Sequence, residues 1–268
     1  MKRSVRLFLG LTIVLVVAAG AYVHHRGGMK YLEYRRYSIA RQLFSDRHAI
    51  PEKVWLHQCN SPEKIRRQGS RFTGFELDVI YDAERAFFIN AHDPVDETKM
   101  TPPDLVDTLR AVSELGRPVG LWIDYKNLTA ENARPSLEVL KRLTAEFGLK
   151  APEIIVESGN FEQLKLFREA GYQTSFYFPY YKDSALQSGE AEQLLKKAIA
   201  AEYVNFVSFE SRYHSFVAPY CRAEGKPMLA WALNRSLYLT LESGAADKLL
   251  ADDDVKIVLL PEQGLKYR

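Results

Sequence analysis

Two carboxylates, Glu76 and Asp78, stand two positions apart in the otherwise apolar run GFELDVIYD at residues 74–82. On a pleated strand successive side chains alternate, so both acids project from one face while Phe75, Leu77, Val79 and Tyr81 take the other. A third acid follows in VGLWIDYK, residues 119–126, where Asp124 shares a face with Lys126 and opposes Leu121, Ile123 and Tyr125. An earlier run, VWLHQ at residues 54–58, puts His57 on the face of Trp55. In each run the polar residues gather at the C-terminal end, a bias that a merely solvated strand face gives no reason for.

Glu76, Asp78 and Asp124 converging in one place would repel and raise one another's pKa values unless a cation sat among them. Lys126 offsets one charge. The remainder calls for one divalent cation, and all-oxygen ligation selects Mg2+ or Ca2+ over zinc. No CxxC or HxxxH spacing competes for zinc. His57 and His92, the latter in NAHDP, bracket the acids and suit a general base and a general acid on opposite sides of one reacting centre. Imidazole titrates at about 6.5, so both protonation states are accessible. His24, His25, His48 and His214 have weaker claims, and Cys59, without a nucleophile's partner pattern, reads as structural. Paired carboxylates also admit a glycoside hydrolase, which would act without metal and tolerate loss of His57.

The elements that would hold these residues repeat along the chain. Strand patterns fall at 54–58, 74–82, 119–126, 153–158, 173–179, 205–210, 227–234 and 255–261. Helical patterns lie between them at 102–116, 132–148, 161–171, 190–202, 213–225 and just before Asp252. Eight strand–helix units predict a (β/α)8 TIM barrel, with an open doubly wound sheet as the alternative. In a barrel, chemistry sits at the C-terminal ends of the strands. The pattern after Asp82 continues as strand through ERAFFIN, and a polar loop, DPVDETKMTPP, follows before the helix. Glu157, Glu210 and Asn127 also sit at or just after strand ends, and of these Glu157 and Asn127 are candidates for substrate contact or for a structural role. Trp231 either meets a substrate headgroup or fills the barrel, and Tyr177, Phe178, Tyr180 and Tyr181 form either an aromatic rim or core.

Bulk properties fit one large domain. The chain has 268 residues, 47% apolar and 26% charged, with a net charge of +2, which excludes disorder and gives no nucleic-acid footprint. Lys2, Arg3 and Arg6 precede an uncharged run from Leu7 to Val23, readable as a signal anchor or as a cleaved signal peptide. Either places the remainder on the extracytoplasmic face of a membrane, or secreted or periplasmic if cleaved. The expected organisation is 1–28 anchor or signal, 29–50 juxtamembrane helix or linker, and 51–268 barrel. Residues 29–44 would lie either on the membrane surface or on the domain. Cys59 and Cys221 need no disulfide in a chain of this size.

The order of these pieces, His at the first strand's end, E-x-D on the second, a further His, and acid-x-Lys on the third, resembles the phosphatidylinositol-phospholipase-C-like phosphodiesterase superfamily. This superfamily includes glycerophosphodiester phosphodiesterases and sphingomyelinase D-type enzymes. WLHQCNSPEK, with its H-x-x-N-S pattern through Asn60, GFELDVIYD, HDP and WIDYKN are most similar to the menorin-type branch. Trp231 and Asn234 in MLAWALN resemble the W-x-x-N of the seventh strand, so the resemblance spans residues 54–261. It implies a metal-dependent phosphodiesterase with His57 and His92 as catalytic pair, Glu76, Asp78 and Asp124 as metal ligands, and Lys126 on the phosphate. Asn60, Trp231, Asn234 and Glu157 would contact substrate or phosphate. The substrate would be a phosphodiester, a lipid headgroup or an envelope glycan. At the position after the first histidine, glycerophosphodiesterases usually carry arginine; here it is Gln58. A catalytically lapsed barrel that binds a phosphorylated lipid or glycan is the alternative.

Overall fold

The computed structural model describes residues 12, 15–22, 50, 52–95, 101, 103–181, 186, 189–231 and 245–261. In chain order the barrel unit runs β1 (Val54–His57), α1 (Pro62–Gln68), β2 (Gly74–Asp82), β3 (Phe87–Ile89), α2 (Leu105–Ser113), β4 (Gly120–Tyr125) and α3 (Ala130–Glu146). It continues through β5 (Ile154–Ser158), α4 (Leu164–Glu169), β6 (Gln173–Tyr177), α5 (Glu190–Ala200), β7 (Phe206–Glu210), α6 (His214–Ala223), β8 (Met228–Trp231), α7 (Ala245–Ala251) and β9 (Val255–Pro261). Setting β3 aside, neighbouring strands pair in parallel in the order β1-β9-β8-β7-β6-β5-β4-β2, and β1 pairs with β2 as well as with β9. The sheet therefore closes on itself, which removes the open doubly wound alternative.

Alternation along each strand decides what fills the barrel and what packs beneath the helices. Leu56, Phe75, Leu77, Val79, Leu121, Ile123, Val156 and Phe176 are almost fully buried under the helices. The other parity points inward, where Trp122, Ile155, Leu229, Ile257 and Leu259 form one cluster with Trp55, Phe206 and Trp231 packed against it. Trp55 fits there because the first residues of β2 and β4 have no side chain. A Cβ on Gly74 would lie 2.1 Å from Trp55 Cδ2, and one on Gly120 would lie 2.2 Å from Trp55 Cη2. Burying side chains of this size contributes about 1.5–3 kcal/mol each, and the barrel interior is thus a packed floor rather than a pore.

Several local expectations need correction. The run after Asp82 is not a continued strand but a hairpin: a turn at 83–86 reverses the chain, and β3 pairs antiparallel with β2, Tyr81 opposite Phe88. Ala86 takes the left-handed conformation that turn requires, φ 52°, where glycine would have announced it in the sequence. The seven-residue helix α1 was not anticipated, since PEKIRRQ buries only Lys64 and Ile65; Ser61 caps it by accepting from the Lys64 amide. Cys59 and Cys221 are separate buried thiols, and burial pushes Cys221 up to about 12.

The 29–44 stretch lies outside the described residues, as does part of the apolar N-terminal run. Residues 15–22, in the other of the chain's two compact units, are helical, with Leu15, Val16, Val17 and Tyr22 exposed. Among the described residues no helix is long and apolar enough to cross a membrane.

Candidate active site at the barrel mouth

Strand register brings the acids together. Glu76 pairs with Trp122 and Asp78 with Asp124 across β2 and β4, so two carboxylates stand directly side by side on adjacent strands. Like charges in that position repel. Carboxylate oxygens of Glu76, Asp78 and Asp124 all lie within 4.8 Å of one another, and Glu76 and Asp78 are 2% and 1% exposed.

The chain answers part of this charge itself. Lys126 Nζ lies 2.7 Å from Asp78 Oδ1 and 2.5 Å from Asp124 Oδ2. Burial alone would lower the Lys126 pKa, but Asp124 and Asp78 outweigh it and hold the ammonium well above its ordinary value. Burial would likewise raise Asp78, yet Lys126 and the Asn60 amide hold it below the usual range. For Glu76 the balance falls the other way: burial, then Asp78 and Asp124, keep its carboxyl well above the usual range, although the Gln58 amide and Lys126 work against the shift. Asp124 is also raised, by burial, although Lys126 works against the shift. Three carboxylates against one ammonium leave an unbalanced negative site. Hard oxygen donors, close spacing and residual charge together fit a divalent cation of the Mg2+ or Ca2+ kind.

The turn after β1 is built around Glu76. Gln58 adopts a left-handed conformation, φ 53°, and its amide donates to Glu76 Oε2 at 2.5 Å. A non-glycine residue held there costs about 1–2 kcal/mol, so something must hold the turn. The buried Lys64 of α1 does so, its ammonium donating to the carbonyls of His57 at 2.6 Å and Gln58 at 3.0 Å. The same turn sets His57 with Nε2 3.6 Å from Glu76 Oε2.

Asp78 is braced from the other side. Asn60 donates to Asp78 Oδ2 at 2.6 Å and accepts from the Asp78 amide at 2.9 Å. Asn90, fully buried after β3, donates to Asn60 Oδ1 and to the Asp78 carbonyl, and accepts from Thr108 of α2 at 2.6 Å. Thr108, Asn90 and Asn60 thus form a chain from helix to carboxylate. Asn90, Thr108 and Lys64 escaped the sequence reading because their partners lie far along the chain; only the lone polar Asn90 following FFI hinted at the network.

The remaining candidates divide. His92 stands exposed on the loop after β3, with Nδ1 3.0 Å from Asp93 Oδ1. Glu157 faces inward on β5 in register with Asp124, and burial followed by Asp124 pushes it up to about 8; the nearby Ser208 and Ser175 hydroxyls offset only part of this. Trp231 both packs on the interior cluster and stacks on Tyr177, ring centroids 5.4 Å apart, while Tyr180 meets it edge-on. Phe178 is core, and Asn127 spends both ends of its amide on the Tyr81 backbone, pinning the hairpin. Asn234 lies outside the described residues.

No family model and no curated protein matches this sequence. Solved structures do match its fold. A glycerophosphodiester phosphodiesterase from Parabacteroides distasonis superposes with a TM-score of 0.56 at 15% identity, over 80% of this chain and 94% of that one. A phosphodiesterase from Oleispira antarctica, solved with its product sn-glycerol-3-phosphate, gives a TM-score of 0.52 at 13% identity, over 78% and 92% of the two chains. At these identities the likeness is one of architecture, and the chain shares the closed (β/α)8 barrel of these phosphodiesterases.

Proposed function

We propose that the chain is a metal-dependent phosphodiesterase using two histidines for proton transfer. The observation that carries this reading is the cluster of Glu76, Asp78 and Asp124 with Lys126 between two of them, at the C-terminal mouth of a closed barrel. The fold shared with glycerophosphodiester phosphodiesterases and the H-x-x-N-S pattern of the menorin-type branch support it. Glu76, Asp78 and Asp124 would hold one divalent cation, whose chemistry is Lewis-acid neutralisation of charge developing on phosphorus-bound oxygens. Lys126 would bind a phosphate oxygen beside it. Of His57 and His92, one takes the proton of the attacking hydroxyl, from water or from the substrate itself, and the other protonates the departing alcohol oxygen. Glu76 orients His57, and Asn60 serves by holding Asp78. Glu157, Trp231 and Asn234 would meet the organic arms of the substrate.

The domain would work on the outer face of a membrane or after export, a proposal that rests on the apolar run from Leu7 to Val23. Fractionation of cells expressing the full chain tests it, and a cytoplasmic product would end it.

The functional test is cleavage of a phosphodiester panel, with glycerophosphodiesters, lysophospholipids and sugar phosphodiesters, in Mg2+ or Ca2+. Activity should fall at least about 100-fold in His57→Ala and in His92→Ala, the usual range for a general acid or base. Variants that keep full turnover would refute the histidine roles. A lapsed, ligand-binding barrel is the second reading. It is favoured by Gln58 in place of arginine and by the contact of His92 with Asp93. Binding without turnover in either metal would select it.

A further inference from the structure

On β5, β6 and β8, three buried polar atoms make no well-formed hydrogen bond among the described residues: Glu157 Oε2, Ser175 Oγ and Trp231 Nε1, although the Ser175 hydroxyl lies near the Glu157 carboxyl. They come from inward-facing positions on β5, β6 and β8. Glu157 and Ser175 are in register and 1% and 0% exposed, and Trp231 stands at the mouth end of its strand. Leaving such groups unanswered costs about 1–3 kcal/mol each, so the arrangement suits a ligand or ordered water that satisfies them. Beside them rises an aromatic wall, Tyr177 stacked on Trp231 and Tyr180 against its edge, with Tyr180 half exposed.

Aromatic walls accept either cations or the C–H faces of sugars. Here the chain's own cation has taken the first role. The Arg212 guanidinium lies 5.2 Å from the Tyr180 ring centroid and 4.7 Å from that of Tyr213, and pairs with Glu210 at 2.6 Å. A quaternary ammonium would have to compete with it.

We propose that this side of the barrel is a subsite for a neutral, hydroxyl-rich ring, a pyranose sugar, forming one organic arm of the phosphodiester. The inference rests on the phosphodiesterase reading, but its test needs no turnover. With the indole nitrogens labelled, the chain's three tryptophans give three indole N–H resonances, and Trp231→Phe identifies one of them. Methyl glucoside, methyl galactoside and methyl mannoside are titrated against glycerol and choline. At least one pyranoside should shift the Trp231 resonance saturably, at about 1 mM or a few-fold weaker, while that of Trp55 stays still. Choline and glycerol should bind about tenfold more weakly. Ser175→Ala and Glu157→Leu should weaken the pyranoside by about tenfold, and Glu157→Gln, of the same shape and still able to hydrogen-bond a hydroxyl, should retain it.

A Trp231 resonance that no pyranoside moves, or one that choline moves more readily, overturns the proposal, as does indifference to Ser175→Ala and Glu157→Leu. Adding Mn2+ to the same samples separates the two readings. Absence of metal binding with the pyranoside response intact would end the phosphodiesterase reading and leave the subsite. Metal binding without that response would end the subsite alone.

Discussion

Replacing Lys126 with methionine removes the ammonium that bridges Asp78 and Asp124 and offsets their repulsion. Its Nζ is 2.7 Å from one carboxylate and 2.5 Å from the other, and the side chain is 24% exposed. At an effective dielectric of about 20, each contact at this range carries about 6 kcal/mol of Coulomb attraction. Desolvation of the ammonium cancels much of that, and removing one partner of a buried pair typically costs about 3–5 kcal/mol. Lys126→Met should therefore lower stability by about 3–5 kcal/mol at pH 7 in EDTA, read from urea unfolding at unchanged m. A divalent cation does the same neutralising work, so Mg2+ or Ca2+ should restore more stability to the variant than it adds to the parent. The reasoning is refuted if Lys126→Met loses less than about 1 kcal/mol in EDTA, or if the cation stabilises both proteins equally.

Other consequences are separable from the metal. Gly120→Ala drives a Cβ to 2.2 Å from Trp55 and should cost at least about 1–3 kcal/mol by overpacking, measured by the same unfolding; combining it with Trp55→Leu should recover part of that loss. Ala86→Gly relieves a left-handed residue, φ 52°, at an exposed turn and should stabilise by about 1 kcal/mol. Asp252 accepts from Arg222 at 2.6 Å and sits 2.7 Å from His214 Nε2. Burial would raise its pKa, but His214, the Asp254 amide and Arg222 together hold it below the usual value. A depressed folded pKa gives stability that is present above the unfolded value of about 3.9 and lost as pH falls through the folded one. Asp252→Asn should therefore cost about 1 kcal/mol at pH 7, and that cost should fade as the pH drops through the depressed folded value, in unfolding measured across pH.

The eight barrel strands were legible because each buries one parity under helices and so reads as a short β-branched and aromatic run. For the same reason the shared, inward parity of Glu76, Asp78 and Asp124 is legible in the sequence. What escaped depends on partners distant in sequence. The fit of Trp55 over Gly74 and Gly120 joins three strands, and the Thr108–Asn90–Asn60 chain joins a helix, a hairpin and a loop. The hairpin itself was hidden by Ala86, which gives no glycine signal, and α1 by a segment with Ile65 as its only buried apolar residue. Gln58 is a similar case: its left-handed turn and its bond to Glu76 follow from Lys64 gripping the loop from the helix, which no local pattern announces.

The central claim is that Glu76, Asp78 and Asp124 form a cation site. Calorimetric titration of the folded chain with Ca2+ and Mg2+ tests it most directly, beside Asp78→Asn with its fold checked by circular dichroism. The account predicts one ion bound per chain by the parent and loss of that binding in Asp78→Asn. A folded parent that binds neither ion, or a variant that binds as the parent does, would contradict it.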